Sequence, residues 1–355
     1  MAVHFSPITV SKIEKLTMQS VAVSFTTPPG DTSFLHYKPG QHITLQANIN
    51  GKEVRRSYSI CTAPHLGVLT VGIKWVHQGV FSTYANTVLK VGDTINALPP
   101  AGKFGTITTD TSNQHYLAIA CGSGITPILS IISHTLYTQP TATFTLVYNN
   151  RTSASIMFLQ ELEALKNTYI SRLHVIHILS QQQSNTLLNY GRITAAKLQE
   201  LALVINYNNM AQILLCGPQD MVLSTKAYFE TLGINSNKIH TELFGTAKQH
   251  SVVITQDTPT EATATVTLIA DGRQQYYTMP TIGTNILDAA IAVGIELPYA
   301  CKAGVCCTCK AKLISGKVHM LANYALEPDE VDAGYILSCQ AQPLTSEVTV
   351  DFDVK

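Results

Sequence analysis

Four cysteines near the C-terminus constrain this 355-residue chain more than any other feature. Three of them, Cys301, Cys306 and Cys309, lie close together in the stretch PYACKAGVCCTCKAKL, and Cys339 follows in LSCQAQPL. Eight cysteines in a chain of this length do not form a secreted disulfide framework, so a cluster of four indicates a metal site. The small residues Ala303 and Gly304 leave room for backbone N–H groups to approach the sulfur ligands.

The spacing Cys-x4-Cys-x2-Cys with a distant fourth thiolate is typical of plant-type 2Fe–2S ferredoxins. Structural zinc usually takes Cys-x2-Cys pairs, and a second pair near Cys339 is missing, so zinc is the weaker alternative. Cys307 breaks the spacing and is expected to be a spectator. Residues 263–355 resemble the ferredoxin domain attached to oxygenase reductases, which implies an α+β β-grasp fold. The resemblance also implies a 2Fe–2S cluster held by Cys301, Cys306, Cys309 and Cys339.

Composition gives only broad limits. A hydrophobic content of 45% with 13% charged residues is that of a globular protein, and the length predicts two or three domains. The N-terminus lacks the apolar run of a signal peptide, and no stretch reaches about 18 apolar residues, so we expect a cytoplasmic protein without a membrane partner. The chain has no basic run, and a nucleic-acid partner is not expected.

The order of strand and helix patterns predicts three domains joined by one linker. Residues 1–105 contain short alternating stretches such as HITLQANI, separated by Gly/Pro turns, and predict an antiparallel β-barrel. Residues 106–245 alternate buried strands with helical segments, which predicts an α/β doubly wound parallel sheet. Residues 246–262 are rich in Thr, Gln and Pro and are interpreted as a linker. The segments expected to be helical are 125–136, 156–166, 193–203, 220–232 and 285–294, and a hairpin turn is expected at Asp271-Gly272.

Two short motifs in the first domain suggest a flavin site. The stretch RRSYSICTAP contains Arg56-Ser57-Tyr58-Ser59, although Tyr58 could be an ordinary barrel aromatic. About twenty residues later, Gly79-x-x-Ser82 in HQGVFSTYAN opens a short helix, and a helix N-terminus suits a pyrophosphate. Together these residues resemble the ferredoxin–NADP reductase superfamily over residues 1–245.

That resemblance implies FAD as the flavin, with FMN as the less common alternative. Arg56 would pair with the flavin pyrophosphate, Tyr58 would pack on the isoalloxazine face, and Ser59 would hydrogen-bond near N5. Gly79 and Ser82 would hold the phosphates.

A glycine-rich turn in LAIACGSGITPILSII predicts the nicotinamide-nucleotide loop. Gly122-x-Gly124-x-x-Pro127 lies between a predicted strand and a predicted helix, which is the context that such a motif requires. Glycines let the backbone approach a pyrophosphate, and Pro127 suits the first turn of a helix. The family resemblance implies that Thr126 lies near the nicotinamide and the flavin.

The family resemblance implies that two further motifs lie at the hydride-transfer position. Cys216-Gly217-Pro218 ends a strand at the ligand-binding edge of the sheet, although a lone cysteine is more often a small buried hydrophobe. Glu242-x-Phe244 in HTELFG resembles the family's terminal Glu-x-aromatic pair, whose ring shields the flavin; without the family, Phe244 would be assigned to the core. The residues expected to orient hydride transfer are Ser59, Cys216, Glu242 and Phe244.

The choice between NADPH and NADH depends on cations that could hold a 2′-phosphate. Arg151 in YNNRTSAS and Arg192 in YGRIT are candidates, although surface arginines are often simply solvated. Gln181 stands where NADP-specific relatives often carry Arg. The sequence favours NADPH and leaves NADH open.

The domain order implies a chain of electron carriers. In the family, a nicotinamide gives a hydride to the flavin, and the cluster passes single electrons to the oxygenase component of a multicomponent monooxygenase. Residues 297–301 and 323–344 are similar to the reductase subunits of phenylacetyl-CoA epoxidases, which implies a di-iron monooxygenase as acceptor. Other acceptors remain open: a hybrid-cluster protein, a desaturase or a ring-hydroxylating dioxygenase. The alternative from another functional class is an interaction module that is stabilised by zinc and fused to a degenerate reductase fold without cofactors.

Overall fold

The computed structural model describes residues 4–28, 30, 32–105, 113–183, 186–244 and 263–354. The linker predicted at 246–262 lies outside the described residues. The chain separates into two compact units, one built mainly from residues before position 245 and the other mainly from residues after position 262. The domain boundaries expected from the sequence stay predictions.

The first sheet is an antiparallel barrel with six strands. Their bounds are β1 Ser6–Thr17, β2 Ser20–Thr26, β3 His42–Ile49, β4 Lys52–Ser59, β5 Leu69–Lys74 and β6 Thr94–Ala101, and helix α1 spans Val80–Thr87. The strand order is β4-β3-β6-β1-β2-β5. Ile60, directly after β4, pairs with Val71 of β5, so the two edge strands meet and the sheet closes. Alternate residues such as Val23, Ile43 and Leu45 fill the interior.

The second sheet is parallel and belongs to the same unit. Its strands are β7 His115–Cys121, β8 Thr143–Asn150, β9 Leu173–Leu179, β10 Gln212–Gly217 and β11 Ile239–Leu243, and its helices are α2 Ile125–Thr138, α3 Leu159–Thr168, α4 Ala195–Leu201 and α5 Gln219–Thr231. The strand order β11-β10-β7-β8-β9 places β8 and β10 on opposite sides of β7. The order in which strands are added therefore reverses between β7 and β10. At such a switch point the carboxyl ends of parallel strands form a ligand crevice.

Three of the predicted helices are shorter than the sequence pattern indicates. Helix α3 begins at Leu159 rather than at 156, because Phe158 has a φ of 58° and its ring is buried in the core. Helix α4 begins after Thr194, whose hydroxyl accepts the Lys197 N–H at 3.3 Å as an N-cap. The helix predicted at 285–294 spans only Ile286–Ala292. The predicted bounds of 156–166, 193–203 and 285–294 are therefore wrong at their ends.

The second unit is built on a mixed sheet. Its strands are β12 Thr263–Ala270, β13 Arg273–Pro280, β14 Lys310–Ser315, β15 Val318–Met320, β16 Tyr335–Leu337, β17 Ala341–Pro343 and β18 Glu347–Asp351, and its helices are α6 Ile286–Ala292 and α7 Pro328–Asp332. The main sheet has the order β13-β12-β18-β14-β16, with β12 and β18 parallel and the other pairs antiparallel. Helix α6 packs on this sheet through Ile286 and Leu287, as in a β-grasp fold. The hairpin turn at Asp271-Gly272 is confirmed.

All three predicted fold classes are therefore confirmed. No helix in the described ranges has both the length and the hydrophobicity that crossing a bilayer requires.

Candidate functional site

Three polar side chains from three strands of the first unit meet at one point. Ser59 ends barrel strand β4, whereas Cys216 and Glu242 are register partners on the parallel strands β10 and β11. The Ser59 hydroxyl donates to Glu242 Oε2 at 3.4 Å, and the Cys216 thiol donates to the same oxygen at 3.8 Å. The structure thus brings together three of the four residues that the sequence assigned to hydride transfer.

Burial keeps this cluster electrically neutral. It raises the pKa of Glu242 to about 8, although hydrogen bonds from Ser59 and Cys216 favour the ionised carboxylate. Burial, together with the neighbouring Glu242, also raises the pKa of the Cys216 thiol well above its usual value. At neutral pH the thiol is therefore protonated and the carboxyl is mostly protonated. Neither group is a ready nucleophile, and the arrangement suits orientation rather than covalent chemistry.

The glycine-rich motif forms a tight turn beside Cys216. Gly122–Gly124 make a single 3₁₀ turn at the end of β7, and α2 follows at once. A Cβ atom on Gly124 would lie 2.2 Å from the Cys216 carbonyl oxygen, so only glycine allows the turn to pack against β10. Gly122 has a φ of 55°, in the left-handed region.

The first turn of α2 packs against the barrel. Thr126 is 1% exposed, and its hydroxyl donates to the Ser123 carbonyl oxygen at 3.0 Å. The Thr126 methyl group lies close to Gly72 of β5, where a Cβ atom would approach it to 2.6 Å. Pro127 is buried in the same turn, as the sequence predicted for a proline near a helix start. Thr126 therefore lies between the barrel and the parallel sheet.

A cavity of about 530 Å³ opens at the carboxyl ends of the parallel strands. This volume lies in the range of small-molecule sites. The residues on its wall that the sequence had assigned to nucleotide binding or hydride transfer are Gly122, Arg151, Arg192, Pro218 and Phe244. Of the other predicted residues, Gly217 precedes Pro218 directly, and its carbonyl oxygen accepts the Phe244 N–H at 2.8 Å.

Three cations, Lys74, Arg151 and Arg192, share this cavity. Burial lowers the pKa of Lys74, and the nearby Arg151 lowers it further. Cations that converge in a cavity suit phosphate groups, because each guanidinium or ammonium can donate charge-assisted hydrogen bonds. Sequence reasoning missed Lys74, since a single lysine at the end of a barrel strand gives no pattern.

The predicted flavin residues lie on β4 and at the start of α1. Arg56 and Tyr58 are two residues apart on a strand, so their side chains leave the same face. Arg56 is exposed, and the Tyr58 ring is tilted against Phe81 at a centroid distance of 5.5 Å. Gly79 is the N-cap residue of α1. The Ser82 hydroxyl accepts the Val76 N–H and donates to the Gly79 carbonyl oxygen, both at 3.1 Å, so it fixes the turn that begins this helix.

The four predicted cluster cysteines form two pairs in the second unit. Cys301 is hydrogen-bonded to Cys306, and Cys309 is hydrogen-bonded to Cys339. In the described residues, no three His, Cys, Asp or Glu side chains converge on a point where one ion could be held. The two pairs are neighbours, because the Cys306 charge acts on the pKa of both Cys309 and Cys339. Two neighbouring thiol pairs fit the two iron atoms of a 2Fe–2S cluster, whereas a zinc ion would need four ligands around one point. Cys307 belongs to neither pair, and its thiol donates to the Ala325 carbonyl oxygen at 2.9 Å.

Backbone N–H groups also point at these sulfurs. The Ala303 N–H donates to Cys301 Sγ at 3.3 Å, and the Gly304 N–H donates to Cys339. The bond from Cys309 lowers the pKa of Cys339, and the bond with Cys306 raises the pKa of Cys301. N–H donors of this kind stabilise anionic sulfur, which fits a negatively charged cluster.

Models of three protein families match successive parts of the chain. The oxidoreductase FAD-binding domain family matches residues 7–105, the oxidoreductase NAD-binding domain family matches 118–227, and the 2Fe-2S iron-sulfur cluster binding domain family matches 268–344. A protein of Escherichia coli (strain K12), the E subunit of 1,2-phenylacetyl-CoA epoxidase, is 44% identical over 99% of this chain and 98% of its own length. The chain belongs to the ferredoxin–NADP reductase superfamily. Within it, the chain is an oxidoreductase of the kind that serves oxygenase systems.

Other members of the superfamily have the same organisation. The ferredoxin reductase component of 3-ketosteroid-9-alpha-monooxygenase from Rhodococcus rhodochrous is 32% identical over 97% of this chain and 96% of its own length. The solved structure of phthalate dioxygenase reductase superposes with a TM-score of 0.60, covers 98% of both chains and is 22% identical, so it shows the shared fold.

Proposed function

We propose that this reductase takes a hydride from NADPH and delivers the two electrons singly to the oxygenase component of a multicomponent monooxygenase. The observation that carries the proposal is that one chain contains two kinds of site. The first unit has a neutral Ser59–Glu242–Cys216 cluster at the edge of its parallel sheet. The second unit has two pairs of thiols. When bound, FAD accepts a hydride and gives up electrons one at a time, and a 2Fe–2S cluster carries single electrons.

The proposed roles of the residues in the first unit follow from their positions. Ser59, Cys216 and Glu242 would orient the reacting rings, with the Glu242 carboxyl holding its proton at neutral pH. Phe244 would cover the flavin until the nicotinamide takes its place. The residues proposed to bind FAD are Arg56, Tyr58, Gly79 and Ser82. Those proposed to bind the nicotinamide nucleotide are Gly122, Gly124, Thr126, Pro127, Arg151, Arg192, Gly217 and Pro218.

NADPH is the donor that the cavity favours. Arg151, Arg192 and Lys74 line one cavity together with Asp220, and either arginine could form charge-assisted hydrogen bonds with a 2′-phosphate. NADH remains the alternative donor, because Gln181 rather than an arginine also lines the wall.

The acceptor we propose is the di-iron monooxygenase of a phenylacetyl-CoA epoxidase. Its support is the 44% identity with the Escherichia coli epoxidase protein over nearly the whole chain. The relatives that serve 3-ketosteroid-9-alpha-monooxygenase make a second oxygenase the alternative acceptor. A cytoplasmic location belongs to this proposal, because the four cysteines proposed to hold the cluster must stay reduced, and thiols persist in a reducing compartment.

Reconstitution with purified oxygenases tests the acceptor. The chain, loaded with FAD and iron–sulfur cluster, is mixed with NADPH and either a phenylacetyl-CoA epoxidase or a 3-ketosteroid monooxygenase, and product formation is measured. We expect coupled turnover with the epoxidase only. Equal or greater turnover with the steroid oxygenase would contradict the proposed acceptor but leave the reductase function intact.

A colour and metal analysis tests the cofactors separately. The proposal requires flavin and iron–sulfur absorbance and an iron content near two atoms per chain. A colourless protein that contains zinc would support the interaction-module alternative instead.

A further inference from the structure

A buried glutamine directly follows the fourth cluster cysteine. Gln340 is 2% exposed, and its side chain turns back toward the cysteine loop. Its Nε2 group donates to the Lys302 carbonyl oxygen at 3.0 Å, to the Cys339 carbonyl oxygen at 3.0 Å and to Cys339 Sγ at 3.8 Å. An amide has two hydrogens, so these three acceptors share them.

The contact with Lys302 fixes a strained part of the loop. Lys302 has a φ of 52°, which is unfavourable for a residue other than glycine, and it directly follows Cys301. The Gln340 amide holds the carbonyl of this residue in place. The loop is also closed tightly over the glutamine, because a Cβ atom on Gly304 would lie 3.3 Å from Gln340 Cγ.

Gln340 therefore joins the two cysteine pairs. Through Lys302 it is attached to the loop of the Cys301–Cys306 pair, and through its own backbone and the sulfur contact it is attached to Cys339 of the other pair. Its buried position excludes water from the donated bonds, so the contact is stronger than the same contact would be at the surface.

We propose that Gln340 is a positioning residue for the cluster, which sets the spacing of the two cysteine pairs and donates an N–H to the Cys339 sulfur. This rests on the 2Fe–2S function proposed above. A donor at a ligand sulfur stabilises the reduced cluster more than the oxidised one, because reduction adds negative charge. The donor should therefore raise the reduction potential. Gly304 supplies another N–H to Cys339, so the loss of Gln340 should be a partial effect.

A matched pair of variants tests the proposal in the loaded full-length protein. Gln340→Met keeps a similar length without an N–H donor, and Gln342→Met makes the same change two residues later on β17, at a partly exposed position. The midpoint potential of the cluster is measured by redox titration followed by electron paramagnetic resonance. For Gln340→Met we expect a more negative midpoint potential. At a fixed applied potential, the ratio of oxidised to reduced cluster should rise threefold to tenfold, and tenfold corresponds to 59 mV for one electron. Gln342→Met should match the wild type.

An unchanged potential in Gln340→Met with full iron content would overturn the proposal. If this variant loses its cluster, a second measurement on wild-type protein tests the proposal instead. Wild-type protein labelled with ¹⁵N only in glutamine side-chain amides should show a nitrogen coupling to the reduced cluster in pulsed electron paramagnetic resonance, and Gln342→Met should keep it. A cluster signal without this coupling contradicts the role of Gln340 alone, whereas the absence of any iron–sulfur signal contradicts the proposed function.

Discussion

Replacing Glu242 with glutamine should change how the stability of the protein depends on pH. Burial raises the pKa of this carboxyl from 4.5 to about 8 in the folded chain. Between these values the folded protein binds one more proton than the unfolded chain, so stability falls as pH rises through this window. Glutamine does not titrate, and the variant should lack this loss. Glu242→Gln should therefore become progressively more stable than the wild type from about pH 5 to pH 8.

The size of the effect follows from the width of the window. A pKa difference of about 3.5, at 1.36 kcal/mol per unit, gives an upper limit of about 5 kcal/mol. The Glu242 side chain is partly exposed to solvent, so water screens part of this energy. We therefore expect the free energy of unfolding to change by about 2 kcal/mol over this pH range.

Urea unfolding at a fixed FAD concentration, repeated from pH 5 to pH 9, measures the free energy of unfolding for both proteins. Glu163→Gln, at an exposed position on α3, controls for the loss of a carboxyl group. A stability difference between wild type and Glu242→Gln that stays constant over this pH range would refute the raised pKa. So would the same pH trend in the Glu163 variant.

Three further substitutions test the cluster, flavin and nucleotide assignments. Cys306→Ser should lower NADPH-driven cytochrome reduction at least tenfold while sparing ferricyanide reduction; a parallel loss of both with FAD retained would contradict the order of carriers. Arg56→Ala should lower the flavin content after gel filtration several-fold, whereas Lys52→Ala, exposed on the same strand, should retain it; full occupancy in Arg56→Ala would remove Arg56 from the site. Arg151→Ala should lower kcat/KM for NADPH about tenfold relative to NADH, since one charge-assisted contact is lost; an unchanged ratio would count against a 2′-phosphate at Arg151.

Local signals in the sequence are sufficient for the parts of the fold that depend on short-range rules. Strand β3 occupies the predicted stretch HITLQANI, and α1 begins directly after the predicted Gly79. The turn at Asp271-Gly272 is also confirmed, because an Asp-Gly pair between alternating strands tolerates positive φ. In each case the residues that decide the structure are neighbours in the chain.

The remaining features depend on contacts between distant residues. The start of α3 moves to Leu159 because the buried Phe158 adopts a positive φ, and this overrides the helical pattern of the residues before it. Gln340 gives no signal in the sequence, since its importance comes from the Lys302 carbonyl, which is 38 positions away. Lys74 likewise gains a role only when the barrel strand that carries it borders the same cavity as Arg151 and Arg192.

The anchoring of Phe244 has a kinetic consequence. Its main-chain N–H is bonded to the Gly217 carbonyl oxygen at 2.8 Å, while its partly exposed ring borders the cavity. A ligand that needs the space of the ring can gain it by turning one side chain, without breaking a backbone hydrogen bond. The ring also packs against the buried core of the parallel-sheet domain. The barrier to entry past this ring is therefore set by the apolar contact that the ring gives up when it turns.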